Sequence, residues 1–231
     1  MFCHLIWIQA DQYFENKKLI PKNIKNNYNK IILLNPDKNI LIKTWSNKDI
    51  RDFIKKEFEE YLIVYDSILD LRFKSDLARL FILYIYGGIY IDVDQECLLN
   101  LDDFGINNNI ELCLIKSLEN NRIANGFMYV REKNNIFIKY CIDEYINMLN
   151  KSIDNSGCDA INNVLNRTNN KNILLLTENF TKNEKDCSGI TEFYLSFYMF
   201  NKNNDKVMRS RYQDYYSDKY ITNINELDDF I

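Results

Sequence analysis

The sequence predicts an α/β fold: a mostly parallel central sheet flanked by helices. Short apolar runs (Phe2 to Ile8, Ile40 to Trp45 and Ile89 to Val93) have the length and composition of buried strands. Between them lie longer segments whose apolar residues return every three or four positions, the spacing of one helix face. Strand and helix patterns alternate, and that order builds a parallel sheet covered by helices.

The elements can be taken in order. Phe2 to Ile8 reads as a buried first strand. After a polar stretch, Pro21 suits the first turn of a helix running to about Leu33, where its missing N–H costs nothing. Asn35-Pro36-Asp37-Lys38 is a turn, and Ile40 to Trp45 is the next strand. Ser46 or Asn47 then caps a helix through about Phe58. Arg72 to Tyr86 is a helix whose apolar face carries Phe73, Leu77, Leu80, Phe81 and Tyr84. Gly87-Gly88 stops it, because glycine accepts the left-handed conformation common after a helix end. Ile89 to Val93 follows as a strand that runs straight into acidic residues. Ile110 to Ile115, Phe127 to Val130 and Ile173 to Leu176 are further strands, with helices at Ile136 to Leu149 and around Ala160 to Leu165. The last thirty or so residues are polar and Tyr-rich and match neither period.

Composition narrows the function. The 231 residues suit one large domain, and no Pro/Gly/Ser linker or repeat divides them. A net charge of −4 provides no basic field to draw the protein to nucleic acid or to an anionic membrane. Six cysteines stand far apart without a CxxC pair, so they do not read as a zinc site. The start MFCHLIWIQA lacks the pattern of a secretory signal, and no apolar run reaches the roughly 18 residues of a membrane span. Reduced thiols in a cytoplasmic setting are therefore expected.

The chemistry concentrates in SDLARLFILYIYGGIYIDVDQE, residues 75–96. Asp92 and Asp94 flank Val93 at a strand end, and side chains two apart in a strand point the same way. Two converging carboxylates repel each other, and a hard divalent cation such as Mn²⁺ or Mg²⁺ resolves the conflict. Ligands of open α/β sheets gather beyond the carboxyl ends of strands, which is where this pair falls. The bland alternative is that both carboxylates simply leave the strand for water. Asp76 and Arg79 share one face of the preceding helix, three positions apart. Two glycines alone join that helix to the acidic strand, so helix face and strand end can share a cleft.

The set Ser75-Asp76, Arg79, Gly87-Gly88, Tyr90, Asp92 and Asp94 resembles the DXD-containing sugar transferases of glycosyltransferase family 32. These include initiating α-1,6-mannosyltransferases and capsular-polysaccharide transferases, with similarity to the catalytic domains of clostridial glucosylating toxins. His4-Leu-Ile-Trp7 is similar to the family's first strand, and Pro36 to Trp45 to its "NP…W" stretch. The resemblance covers about the first 130 residues. It implies a single GT-A domain over residues 1–231, with a Rossmann-like nucleotide-sugar part to about 130 and an acceptor side over about 131–231. It implies a retaining transfer of a hexose from a UDP- or GDP-sugar to a carbohydrate or protein acceptor, with Mn²⁺ or Mg²⁺.

Residue by residue, the resemblance makes Asp94 a direct metal ligand. Asp92 would reach the metal through water and touch the donor. Trp7 would stack on the base, and Ile6 joins the nucleotide-sugar set. Asp76 and Arg79 would hold the donor sugar as the catalytic pair, with Tyr90 and Asn125 lining the pocket. Each residue also has a plainer role: Trp7 as a core aromatic, Asn125-Gly126 as a turn, His4 as a partner for a backbone group. The chain departs from the family at Gln9, where relatives usually have Gly. The Thr-Gly-Pro segment and the C-terminal His-rich and Ser-Trp signature are also missing. Tyr215-Tyr216-Ser217-Asp218 would stand in for that signature, with Ser217 as the candidate metal ligand. Two other readings compete with this one. An aspartate-nucleophile phosphatase expects its DxD after the first strand, and a non-catalytic sugar-binding module could share the whole fold.

Overall fold

The computed structural model describes residues 1–8, 19–93, 95–118, 121–151, 157–168, 172–181, 196–210 and 227–229. Its strands are β1 (Phe2–Ile6), β2 (Leu19–Pro21), β3 (Leu41–Trp45), β4 (Gly88–Ile91), β5 (Gln95–Cys97), β6 (Leu112–Ser117), β7 (Ile123–Val130), β8 (Ile173–Thr181), β9 (Ser196–Phe200), β10 (Lys206–Ser210) and β11 (Leu227–Asp229). Its α-helices are α1 (Lys22–Leu34), α2 (Asn47–Glu57), α3 (Leu62–Ser67), α4 (Leu71–Tyr86), α5 (Ile136–Asn150) and α6 (Gly157–Arg167). Pro21 ends β2 rather than entering the first turn of α1.

The main sheet has nine strands in the order β3-β1-β4-β7-β6-β8-β9-β10-β5. Within the mostly parallel sheet expected, parallel pairing is found at β3-β1, β1-β4 and β6-β8. The other five pairings are antiparallel, so the sheet is mixed. A parallel pair needs a long crossover, whereas only residues 118–122 join β6 to β7 and residues 201–205 join β9 to β10. Strand alternation cannot distinguish the two pairing modes.

Successive side chains fill two cores. Tyr90, Leu112, Leu114, Met128 and Val130 face α2 to α6 on one side of the sheet. Ile89, Ile91, Cys113, Ile115 and Phe127 face α1 and the segment around Leu101 and Phe104 on the other. A sheet apolar on both faces must be covered on both, and this one is. Burying one such aliphatic side chain contributes about 1.5–3 kcal/mol.

Two features of the fold position the site. The first is the junction of α4 and β4. Asp70 caps α4 by accepting from the Arg72 N–H, and the helix closes on Gly87, whose N–H reaches Leu83 O at 2.9 Å. Gly87 and Gly88 adopt φ of +59° and +90°. A Cβ on Gly88 would lie 2.4 Å from Phe2 O, so only glycine lets β4 pass this close to β1. The second feature is the curl of the sheet. β4 is the third strand in this order and β5 the last, at the opposite edge, yet only residues 92–94 separate them in the chain. The sheet therefore bends back until its edge meets the end of β4, and the acidic segment bridges the gap.

Candidate active site

α4 buries two charged residues on the face it turns to the sheet: Asp76 (7% exposed) and Arg79 (5%). Charged side chains are almost never this buried without partners, and here the partners are mutual. Arg79 Nη2 lies 3.0 Å from Asp76 Oδ1, and Arg79 Nη1 lies 3.2 Å from Asp92 Oδ1. Nη1 also donates to Asn125 O at 2.7 Å, while Nη2 donates to Ser75 Oγ at 3.2 Å. The guanidinium sits over the Tyr90 ring, 4.3 Å from its centroid. Tyr90 and Asp92 are two apart and reach the same face of the sheet, where the Tyr90 hydroxyl donates to Asp92 Oδ1 at 2.5 Å.

Asp76 is tied down on both oxygens. Oδ1 accepts from Asn125 Nδ2 at 2.7 Å, and Oδ2 accepts from the Gly157 N–H at 2.8 Å. Burial pushes the Asp76 carboxyl above the usual carboxylate range, against the pull of Arg79 and these two hydrogen bonds. For Arg79, burial works against the charge, but Asp92, Tyr90 and Asp76 outweigh it and hold the guanidinium protonated. Burial also raises the Tyr90 hydroxyl well above its ordinary value, so it remains a donor.

Asn125 is not in a turn but inside β7. The β6–β7 ladder jumps from Leu114↔Met128 to Ile115↔Ala124, so Asn125, Gly126 and Phe127 bulge away from β6. Bulges re-aim backbone and side chains beside functional sites, and this one aims Asn125 O at Arg79. It also lets Gly126 O accept from the Asp92 N–H at 2.6 Å.

His4 is fully buried on β1 and serves the backbone. Its Nε2 is 2.9 Å from Gly87 O, and Trp45 Nε1 donates to its Nδ1 at 3.3 Å. A carbonyl on one ring nitrogen and a donor on the other fix the neutral Nε2–H tautomer. Burial lowers its pKa to about 4, with the Gly87 carbonyl acting against that shift and Lys43 adding to it. Ile6 (5% exposed) packs in the core on the α4 side. Trp7 follows β1, half-buried, its N–H bonded to Trp45 O at 2.9 Å. Asp94 and Ser217 lie outside the described residues.

The structure thus gathers Asp76, Arg79, Tyr90, Asp92 and Asn125 into one cluster. Two participants have no local sequence signal. Gly157 contributes a backbone N–H from the start of α6, and Gly126 leaves room beside Asp92. A Cβ on Gly157 would stand 2.9 Å from Asp76 Cβ, so the close approach needs glycine there as well. Among the described residues no three His, Cys, Asp or Glu side chains surround one point. Asp92 Oδ2, however, has no protein partner among them, which leaves it available to a cation. The five described cysteines are free thiols, and burial raises the pKa of Cys3, Cys97, Cys113 and Cys141. None of the described helices is long and apolar enough to cross a membrane.

A buried Asp–Arg pair beside an Asp-Val-Asp strand end, on a curled α/β sheet, is the architecture of a DXD-type sugar transferase. Comparison with known proteins agrees. A family model described as "Glycosyltransferase sugar-binding region containing DXD motif" matches residues 21–111. The glycosyltransferase L373 of Acanthamoeba polyphaga mimivirus is 34% identical over 210 residues, which cover 88% of this chain and 74% of that protein. The chain belongs to the DXD-containing glycosyltransferase family. Inositol phosphoceramide mannosyltransferase 3 of Schizosaccharomyces pombe is 39% identical over 69 residues, covering 30% of this chain and 19% of that protein. Among solved structures, the PaToxG glycosyltransferase aligns with a TM-score of 0.49 and 19% identity, over 71% of this chain and 67% of that one.

Proposed function

We propose that the protein transfers a hexose, with retention, from a UDP- or GDP-sugar to an acceptor hydroxyl, using Mn²⁺ or Mg²⁺. The observation that carries this reading is the Arg79 guanidinium, buried between Asp76 and Asp92 at the end of β4. Asp92 and Asp94 would hold the cation, with Ser217 as a further candidate ligand. When bound, the cation neutralises the charge that builds on the departing diphosphate.

The chain's own residues do the rest. After its contacts with Asn125 and Arg79 on Oδ1 and with Gly157 on Oδ2, Asp76 keeps an unused lone pair on Oδ2, which can accept from a sugar hydroxyl. Arg79 is preorganised by four protein partners, so it offers a fixed positive charge beside the leaving group at no reorganisation cost. Trp7, half-buried where the chain leaves β1, offers a ring face to the base. Tyr90 holds Asp92 in one rotamer. With the donor fixed, the task left is to bring the acceptor hydroxyl to the anomeric carbon. No side chain of the cluster is an evident covalent nucleophile, so attack from the face of the leaving group is the default route.

The test is a panel of UDP- and GDP-sugars with Mn²⁺, read as release of free nucleotide. Release from at least one donor is the expected result. Binding of a donor without any release would favour a non-catalytic sugar-binding module.

A further inference from the structure

Gln95 opens β5 directly after the Asp-Val-Asp segment, and its side chain is buried (6% exposed). The two ends of its carboxamide meet different surroundings. Oε1 is shut off from solvent and accepts no hydrogen bond, whereas Nε2 is not sealed in this way. Nε2 lies over the bare Cα of Gly126: a Cβ there would stand 2.3 Å from Nε2 and 2.9 Å from Asp92 Oδ2. A donor from β5 and a carboxylate oxygen from the end of β4 therefore come together beside one glycine. Turning the carboxamide over would set its carbonyl oxygen against the carboxylate, and two acceptors repel. The N–H₂ end faces Asp92 even though this leaves Oε1 without a partner, in a fold where nearly every buried polar atom has one.

Both atoms have bonding capacity to spare. Asp92 Oδ1 is taken by Tyr90 and Arg79, whereas Oδ2 has no partner among the described residues. The Gln95 Nε2 N–H groups likewise donate to no described residue. Oδ2 carries two lone pairs, so contact with a cation leaves one for a second group. The backbone holds the pair in place: the Gln95 N–H donates to Asp92 O at 3.0 Å, and Gln95 pairs with Ser210 on β10. A hydroxyl satisfies a spare donor and a spare acceptor set side by side, because it accepts from one and donates to the other. Its oxygen, about 2.7–3.0 Å from each, spans a gap of this size.

We infer that Gln95 is a specificity-determining residue: its Nε2 donates to one hydroxyl of the nucleotide-sugar donor, on the hexose or the ribose, and that hydroxyl donates to Asp92 Oδ2. The inference rests on the donor-binding reading above and adds to Asp92 a contact that the Asp-x-Asp pattern does not specify. A carboxamide reads a hydroxyl without placing a further charge beside the diphosphate.

The test pairs enzyme variants with donor analogues. Nucleotide release is measured as kcat/KM for the active donor, its 2′-deoxyribose analogue and its singly deoxygenated hexose analogues. Wild type, Gln95→Leu and Gln95→Glu are compared, with thermal melting as the control. In wild type, removal of one particular hydroxyl should cost about tenfold or more, the size of a hydrogen bond to a charged partner. Gln95→Leu should lose about tenfold on the active donor, and removal of the same hydroxyl should then cost at least about threefold less than in wild type. Its melting temperature should stay the same or rise, because an unpaired buried acceptor is replaced by an apolar group of similar size. Gln95→Glu keeps the size but lacks the N–H₂ group, so it should show the same loss of discrimination. It decides the matter if Gln95→Leu does not fold. The analogue whose penalty shrinks identifies the hydroxyl as the hexose's or the ribose's. Penalties that are the same in wild type and in the folded variants, for every analogue, overturn the assignment. A Gln95→Leu protein that melts lower and is slower on all donors alike makes Gln95 a packing residue. If wild type releases nucleotide from no donor, the transferase reading falls, and this one with it. Release by wild type with discrimination unchanged in the variants removes Gln95 alone.

Discussion

One guanidinium compensates two carboxylates at the end of β4, and it does so through geometry that lysine lacks. Arg79 spreads its N–H groups over Asp76, Asp92, Ser75 and the Asn125 carbonyl at once. A point charge on a flexible stem cannot reach them all. Arg79→Lys should therefore keep the fold but lower kcat/KM by about 100-fold, equivalent to roughly 2.7 kcal/mol of lost transition-state stabilisation. Steady-state kinetics on the active donor, with a melting curve as control, checks it. Arg79→Met should instead destabilise the protein by about 3–5 kcal/mol, because two buried carboxylates lose their counter-charge.

His4 makes a different prediction at the same scale. Its folded-state pKa of about 4 lies below the ordinary 6.5, so the folded protein binds fewer protons than the unfolded chain. The stabilisation is complete above pH 6.5 and is lost as pH falls through this window toward 4. The full shift corresponds to about 3 kcal/mol. Urea midpoints measured between pH 7 and 4.5 should fall more steeply for wild type than for His4→Gln. Parallel curves would contradict the assignment of His4 as a buried neutral link between Trp45 and Gly87.

At the scale of elements, α4, the double glycine and β4 were legible in sequence because each is specified locally. An apolar stripe gives the helix, a left-handed pair stops it and a short β-branched run follows. Asp76 and Arg79 could be placed on one face for the same reason. The bulge in β7 was not legible: Ala124-Asn125-Gly126 has turn chemistry, and it is kept in the strand by the pairing of Ala124 with Ile115 on β6 and by the Asp92 N–H on Gly126 O. The contact between α6 and Asp76 was also hidden, since its donor is a backbone N–H 81 positions away. That contact is testable. Gly157→Ala would place a Cβ against Asp76 and push α6 away from it. Turnover should fall by about tenfold or more, with a stability loss of about 1–3 kcal/mol from overpacking. Gly88→Ala should be worse for stability and should compromise folding, because both its φ and the Phe2 carbonyl oppose a side chain.

For the whole molecule, the sheet's curl is what makes the strand end a site. Residues 92–94 join an inner strand to the far edge strand, so groups from α4, β4, β5, β7 and α6 converge where neither chain proximity nor helix packing alone would bring them. Sequence patterns indicated a mostly parallel sheet because alternation reports burial, not strand direction. β5 escaped notice because it is three residues long and pairs with a strand distant in sequence, whereas β9 and β10 pair locally and were missed because each is a short strand. The family and the α/β class were recoverable from spaced motifs. The mixed sheet and the closure around Asp76 required the three-dimensional arrangement.

In the proposed function, the acidic end of β4 holds a cation that activates the donor. The most direct measurement is nucleotide release by wild type and Asp94→Asn on the active donor, across a Mn²⁺ titration and in excess EDTA. Chelation should abolish wild-type release, and Mn²⁺ should restore it. Asp94→Asn should stay at least about 100-fold slower at every Mn²⁺ concentration, the cost of losing a principal electrostatic contribution to the transition state. Full release in EDTA, or wild-type rates in Asp94→Asn, would contradict it.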